Sequence, residues 1–384
     1  MAGRKAQGKH VYLDHAASTP MHAAAVEAVQ HYMGAEYANP SGSHALARSA
    51  RHVIDESRDI VAEIIGCAPG EVVFTSGGTE GANAAVLGAV RRGNGRAVCP
   101  AAEHHAVLHC VEDTGGTVVP VLPDATVDLD ALASELSRGG AAVVSVMAVN
   151  NEVGSMNDME RAARVVRDCA PGAVLHTDAV QAACWTDLRE LWRHVDVLTL
   201  SAHKFGGPKG AGVMVIREGT GLAPLILGGG QERDRRSGTL NVPGVVGTAV
   251  ALAVTNSNRE EEVARLDALR RRLVDAVTSR VGCATATVPL AKSVPGVAHI
   301  CFEGLESESL LFLLDEEGVC VSAASACASG AMEPSHVLAA MGVPRSRMMG
   351  SVRFSLGHTT TTEDIDAAAD AAVGAAERLV AARS

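Results

Sequence analysis

The sequence predicts an α/β protein: a mainly parallel sheet with crossover helices, followed by a smaller α+β unit. Three observations carry this expectation. Short Val-, Ile- and Leu-rich runs alternate with helical patterns from about residue 71 to 217, as βαβ units require. Several of those runs end in polar or glycine-rich turns, where open α/β sheets bind their ligands. The chain has 384 residues, more than the roughly 250–300 at which one core stops growing and a second unit forms.

Composition narrows the function classes. Apolar residues make up 47% of the chain and aromatics only 3%, with 39 glycines, which suits close helix–sheet packing and many tight turns. A net charge of −11 argues against a surface built for nucleic acid, so no direct nucleic-acid contact is expected. Nine cysteines, at 67, 99, 110, 169, 184, 283, 301, 320 and 327, form no CxxC pair and no His/Cys ligand spacing, so no metal site is expected. The amino terminus is basic but lacks the apolar core of a signal peptide. No run approaches the ~18 apolar residues of a membrane span. A reduced, cytoplasmic setting without a membrane is the expectation.

In chain order, VYLDHAASTP (11–20) is a short extended piece ending in a polar turn. Asn39-Pro40-Ser41-Gly42-Ser43-His44 could hydrogen-bond a small polar ligand, and equally reads as an ordinary Asn-Pro turn. Apolar spacing predicts a helix over 45–65. EVVFTSGGTE then runs a strand through Ser76-Gly77-Gly78-Thr79 into a helix. Free N–H groups and the dipole at such a helix start make a phosphate seat, with the Thr79 hydroxyl alongside. The pattern is neither a P-loop nor a dinucleotide fingerprint, and such junctions are common in α/β proteins.

RAVCPAAEHHAVL (96–108) is a strand leading into His104-His105. A histidine there can lie on a planar cofactor and shuttle protons, or simply start a helix. AAVVSVMAVNNEVGS (141–155) is a further strand, ending in Asn150-Asn151-Glu152. Between His176 and Gly210 two strands deliver Asp178 and then Lys204, the latter into His-Lys-Phe-Gly-Gly-Pro-Lys-Gly. Pyridoxal phosphate chemistry needs such a pair, a lysine for the Schiff base and a carboxylate against the pyridine nitrogen. Taken alone, the pair also fits a surface lysine and a strand-end cap.

Residues 228–244 form a long glycine- and charge-rich loop of the kind usually tied to function. Residues 245–280 are expected to be helical, with the charged stretch NREEEVARLDALRRRL as a solvated connector to a second domain. That domain holds a strand at 297–304, a helix at 307–318, the stretch 319–330, the strand SVRFSL and a final Ala-rich helix. Cys327 lies in a tract of Ser, Ala and Gly, unlike Cys301 and Cys320 in apolar runs. Such a setting suits an exposed nucleophile, and also a small structural residue.

As a set, YLDHAAST, FTSGGTE, EHHAVL, VNNE, HTDAVQ, SAHK, GPKG, RSGTL, SACAS and VRFSLG resemble, in order and spacing, the cysteine desulfurases of the nitrogen-fixation and iron–sulfur-cluster type. The likeness runs from about residue 11 to 380. It implies a fold-type-I pyridoxal-phosphate transferase, with a seven-stranded mainly parallel sheet in a large domain, 16–258. The small domain would take 1–15 and 259–384 and carry the catalytic cysteine loop.

The resemblance implies Lys204 as the Schiff-base lysine, Asp178 as partner of the pyridine nitrogen, Gln181 on the phenolic oxygen and His104 as the stacking, proton-handling histidine. Gly78, Thr79, Ser201 and His203 would form the phosphate cup, and Thr239 would reach the phosphate of a neighbouring subunit, which implies a homodimer. Arg353 would clamp the carboxylate of L-cysteine, with Asn151 and Asn39 as further contacts. Cys327 would take the substrate sulfur as a persulfide and release alanine, then pass the sulfur to an acceptor protein.

Two departures from the family pattern stand out. Ala324 and Ala328 replace the Gly and Thr common in the cysteine loop, which points to a stiffer loop. The chain also ends at Ser384 without the carboxy-terminal segment that docks a cluster scaffold in housekeeping members. This weakens a general iron–sulfur role, which stays open, and leaves room for a dedicated acceptor in tRNA thiolation, in a nitrogenase-type scaffold or, our preference, in DNA phosphorothioation. The alternatives on the same fold are a selenocysteine lyase and a class V transaminase.

Overall fold

The computed structural model describes residues 10–34, 36–93, 95–323, 327–328, 331–332 and 334–383. The chain begins with β1 (Val11–Tyr12), α1 (Ala23–Gly34), α2 (Ala45–Ile65), β2 (Val72–Thr75) and α3 (Gly78–Gly93). It continues through β3 (Arg96–Pro100), α4 (His105–Asp113), β4 (Thr117–Val119), α5 (Leu129–Leu136), β5 (Ala141–Ser145) and α6 (Met159–Cys169). Next come β6 (Val174–Asp178), α7 (Leu188–His194), β7 (Val197–Ser201) and β8 (Gly212–Ile216). The long α8 (Val242–Arg280) leads to β9 (Ala284–Ala286), β10 (Val297–Phe302), α9 (Ser307–Glu316), β11 (Val319–Cys320), β12 (Cys327–Ala328) and β13 (Ala331–Met332). The chain closes with α10 (His336–Ala340), α11 (Arg345–Met348), β14 (Ser351–Ser355) and α12 (Thr362–Ala381).

Seven strands form the main sheet in the order β2-β8-β7-β6-β5-β3-β4. Only β8 runs against its neighbours, β2 and β7; the remaining pairs are parallel. Strands covered on both faces are mostly apolar, and β2, β7 and β8 are buried throughout. Alternate side chains face different layers, as the pleat demands. Val72 and Phe74 join the large core under α2, α6, α7 and α8, whereas Val73 packs on the α3 side with Ala84 and Ala85. The carboxyl ends of β6 and β7 therefore bring Asp178 and Ser201 to one edge of the sheet.

The second core gathers around the antiparallel sheet β14-β10-β9. Leu13, Ile300, Phe302, Leu310, Leu314, Phe354 and Ile365 are its buried centre. The amino-terminal strand belongs with it: β1 pairs in parallel with β11, and Asp14 bridges to Ser355. This pulls residues 13–19 across the edge of the main sheet.

The structure corrects the reading of the charged stretch in α8. Leu266, Leu269, Leu273, Val274 and Val277 are buried in the second core, at the spacing of one helical face. Arg270, only 1% exposed, sends its guanidinium to the Ser293 and Val294 carbonyls and to Asp267. The surrounding Arg and Glu side chains cover the other face, and they hid the apolar stripe in the sequence.

Candidate active site

The sheet edge carries a cavity of about 220 Å³ lined by Gly78, Thr79, His104, Asn151, Asp178, Gln181, Ser201, His203, Lys204 and Arg353. Ten of the residues singled out in the sequence thus meet in one place.

Lys204 follows β7 in a one-turn 3₁₀ helix, Ala202–Lys204. Its Nζ donates to the carbonyls of Ala16, at 2.7 Å, and Ala17, at 2.9 Å. Gln181 Nε2 donates to the same Ala16 carbonyl at 2.9 Å. The turn after β1 thereby aims two polar side chains from the main sheet. Burial, reinforced by the nearby Arg353 cation, draws the Lys204 amine down to about 8, against the pull of Asp14 and Asp178. A neutral amine close to physiological pH is what a Schiff-base lysine needs.

Asp178 ends β6 and is 6% exposed. Burial pushes its carboxyl up to about 6, and the Val180 N–H, at 2.9 Å, together with Lys204 opposes that rise. Few hydrogen bonds support this acid from its own chain, so a cationic ring nitrogen facing it would fit its chemistry. His104 caps α4: its Nδ1 accepts the Ala106 N–H at 3.1 Å, which leaves Nε2 to carry the proton of the neutral ring. The enclosing walls, then Lys204 and the imidazoles of His105, His336 and His109, lower His104 to about 4. It is neutral across the physiological range.

The phosphate seat is narrow for a steric reason. Gly77 takes φ +152°, and a Cβ on Gly78 would lie 2.5 Å from Val180 Cγ2 and 3.5 Å from Ser201 Cβ. Only glycine lets the start of α3 sit this close to the loop after β6. Ser201 and His203 flank that helix start, and His203 Nδ1 lies 3.4 Å from Ser18 Oγ. The donor set suits a phosphate monoester: a helix amino terminus, two hydroxyls and an imidazole.

Arg353 comes from β14, in the second sheet, and is 5% exposed. Its terminal nitrogens donate to the Asn151 carbonyl at 2.8 Å and to Asp14 Oδ1 at 2.9 Å. Its buried Nε has no partner, and each terminal nitrogen keeps a second N–H that can donate to a substrate carboxylate. Asn150 locks the turn that presents Asn151: its Oδ1 accepts the N–H groups of Glu152 and Val153, and its Nδ2 donates to Ala102.

Two expected site residues, Asn39 and Thr239, do not line this cavity, and the side chain of a third, Cys327, is not described. Asn39 is exposed and closes its own turn, its Oδ1 accepting the Ser41 N–H at 2.9 Å. Thr239 is also exposed and lines a different cavity, with Ser76 and Arg236. Cys327 has its backbone in β12, paired with Met332, but its side chain lies outside the described residues, as do residues 324–326, 329–330 and 333. Two site acids escaped the sequence reading. Asp14 holds Arg353, and Glu103, fully buried, accepts the Met147 N–H while its Oε2 has no partner. Both stand inside quoted motifs, YLDHAAST and EHHAVL, and only their pairing across the fold gives them a role.

Comparison with known proteins gives the family. The model of the aminotransferase class-V family matches residues 11–368. The chain belongs to that family. It is 42% identical over 386 residues to an IscS-like cysteine desulfurase of Mycobacterium tuberculosis, with 96% of each chain covered. A solved NifS-like protein superposes with a TM-score of 0.86 at 33% identity, covering 97% of this chain and 100% of its own. A further structure, SspA in complex with cysteine, reaches a TM-score of 0.78 at 28% identity, covering 90% of this chain and 98% of its own. The chain is a pyridoxal-phosphate-dependent cysteine desulfurase, taking L-cysteine as substrate and passing its sulfur to an acceptor. Among the described residues, no helix is long and apolar enough to cross a membrane.

Proposed function

We propose that Lys204, Asp178, Gln181, His104, Gly78, Thr79, Ser201 and His203 hold the cofactor, that Arg353 and Asn151 bind L-cysteine, and that Cys327 receives its sulfur. When bound, pyridoxal phosphate supplies an electron-withdrawing ring that acidifies the α-carbon of the attached amino acid. Asp178 keeps a proton on the ring nitrogen. Arg353 orients the substrate by its carboxylate. The free amine of Lys204 takes the α-proton, and His104, neutral and able to accept or donate, moves the proton that returns to carbon. The Cys327 thiolate attacks the substrate sulfur: an S–S bond forms, the substrate C–S bond breaks and its electron pair stays on the carbon. The sum is balanced, cysteine and a thiol giving alanine and a persulfide.

The observation that carries this reading is the convergence of a lysine with a lowered amine pKa, a buried acid and an arginine on one cavity. The test is alanine and sulfide release from L-cysteine, with and without reductant, in wild type and Cys327→Ala. Stoichiometric alanine from the wild type, and none from a variant that stays yellow, is the expected result. Equal sulfide release by the variant would sink the assignment of Cys327 and favour a lyase.

We infer in addition that two chains complete the site, Thr239 of each reaching the other's phosphate; its exposed position outside the cavity of its own chain supports this. The distinct cores of the two sheets support a division into a large domain, 16–258, and a small one of 1–15 and 259–384, with Val294 and Val297 packing on the large core. A protein thiol is the proposed receiver of the persulfide sulfur.

A further inference from the structure

Just past the strand pair that bears Cys327, two side chains with no part in cofactor or substrate binding reach the neighbours of Asn151 and His104. β12 and β13 pair antiparallel, Cys327 opposite Met332 and Ala328 opposite Ala331. Three residues beyond Met332 comes Ser335, 5% exposed, whose hydroxyl donates to Glu152 Oε2 and accepts the Leu338 N–H at 3.1 Å. His336 follows. Its Nε2 lies 2.9 Å from the Glu103 carbonyl, which can only accept, so Nε2 carries the proton. Its Nδ1 lies 3.9 Å from Glu152 Oε1, and its ring packs on His105 with centroids 4.4 Å apart.

Both anchors lead straight to the active site. Glu103 precedes His104, and its carboxyl holds the Met147 N–H. Glu152 follows Asn151, whose carbonyl holds Arg353. Glu152 is 3% exposed, and a carboxylate buried this deeply contributes little to stability that an apolar side chain could not match. What the acid adds is direction: it holds the Ser335 hydroxyl, while His336 Nε2 is held separately on the Glu103 carbonyl.

We propose that Glu152, acting through Ser335, is a positioning residue that registers the Cys327 strand pair against the cavity for sulfur transfer, with His336 on the Glu103 carbonyl as a second tie. The proposal rests on the reading of Cys327 as nucleophile. Cofactor binding and removal of the α-proton involve other residues, so a broken tie should slow persulfide formation alone.

Ser335→Asp separates this role from a merely structural one. Aspartate still caps α10 by accepting the Leu338 N–H, but sets a second carboxylate against Glu152. Glu152→Ala removes the acceptor, Glu152→Gln keeps one, and His336→Leu breaks the other arm at a half-buried position. The holoenzymes would be compared by cofactor absorbance, by KM for L-cysteine, and by the single-turnover rate of persulfide formation on Cys327, followed by alkylation and mass spectrometry. Ser335→Asp and Glu152→Ala should keep the cofactor band and KM, and lose about 10- to 100-fold in that rate, the effect of one charged hydrogen bond. Glu152→Gln should recover most of the rate. Should Glu152→Ala not fold, Ser335→Asp and His336→Leu decide. Persulfide formation at the wild-type rate in both overturns the proposal, and so does a loss of cofactor or a rise in KM in step with the rate. If the wild type releases alanine but puts no persulfide on Cys327, the nucleophile assignment fails and takes this proposal with it.

Discussion

Lys204 illustrates how a single side chain acquires its chemistry from its surroundings. Its amine, drawn down to about 8 chiefly by burial, is protonated below that value and neutral above it. Only the neutral amine can add to an aldehyde. Loading of the cofactor-stripped protein with pyridoxal phosphate should therefore accelerate as pH rises through about 8, not through the ordinary lysine range; stopped-flow absorbance of the Schiff base would record the midpoint. Asp178→Asn keeps an acceptor for Val180 but cannot hold a charge, so kcat should fall on the order of 10²- to 10³-fold with the cofactor still bound. Arg353→Lys loses the forked geometry that serves Asn151, Asp14 and a carboxylate together. KM for L-cysteine should rise about 10- to 100-fold, as for loss of one charged hydrogen bond. A KM unchanged in steady-state kinetics would place the carboxylate elsewhere.

At the scale of elements, the start of α3 and the long loop before α8 show two ways in which sequence patterns translate into structure. The Gly77-Gly78 turn is tight because the helix abuts Val180. Gly78→Ala should weaken cofactor binding about 10- to 100-fold, the effect of 1–3 kcal/mol of overpacking, as read from equilibrium dialysis. The glycine- and charge-rich composition of the 228–244 loop points to function, and its firmest feature is an anchor. Glu232 takes both terminal nitrogens of Arg58, at 2.9 and 2.7 Å, and the Phe74 N–H at 2.9 Å, with both side chains almost wholly buried. This fixes the loop to α2 and β2. Glu232→Gln leaves Arg58 buried without its counter-charge, at a cost of about 3–5 kcal/mol. A denaturant midpoint equal to the wild type's, at equal cofactor saturation, would contradict that. Nothing in the local sequence pairs residue 58 with residue 232, so this contact was not legible in advance.

For the whole molecule, the proposed dimer makes a test that needs no structure of the complex. Lys204→Ala cannot bind the cofactor covalently, and Thr239→Asp would set a negative charge against a phosphate. If Thr239 serves the site of a second copy, mixing the two inactive variants should restore activity, because one hybrid site would hold an intact lysine and an intact threonine. Failure to recover activity, in hybrids verified by mass, would return Thr239 to a local role beside Ser76 and Arg236.

Taken by itself, the sequence determined the alternation of strands and helices, the glycine turns and the lysine–acid pair at strand ends. Those follow from periodicity and from φ preferences, which act over a few residues. It also determined the family, because motifs in order along a chain survive without knowledge of contacts. The tertiary structure alone decided which groups meet. Asp14 reaches Arg353 across 339 positions, Lys204 rests on carbonyls 188 and 187 positions away, and Ser335 reaches Glu152 across 183. It alone set the Lys204 amine near 8 and the Asp178 carboxyl near 6, and it revealed the apolar stripe of α8 beneath its charges. Burial and charge proximity are properties of the packed chain, and they come into being only when distant segments close on one another.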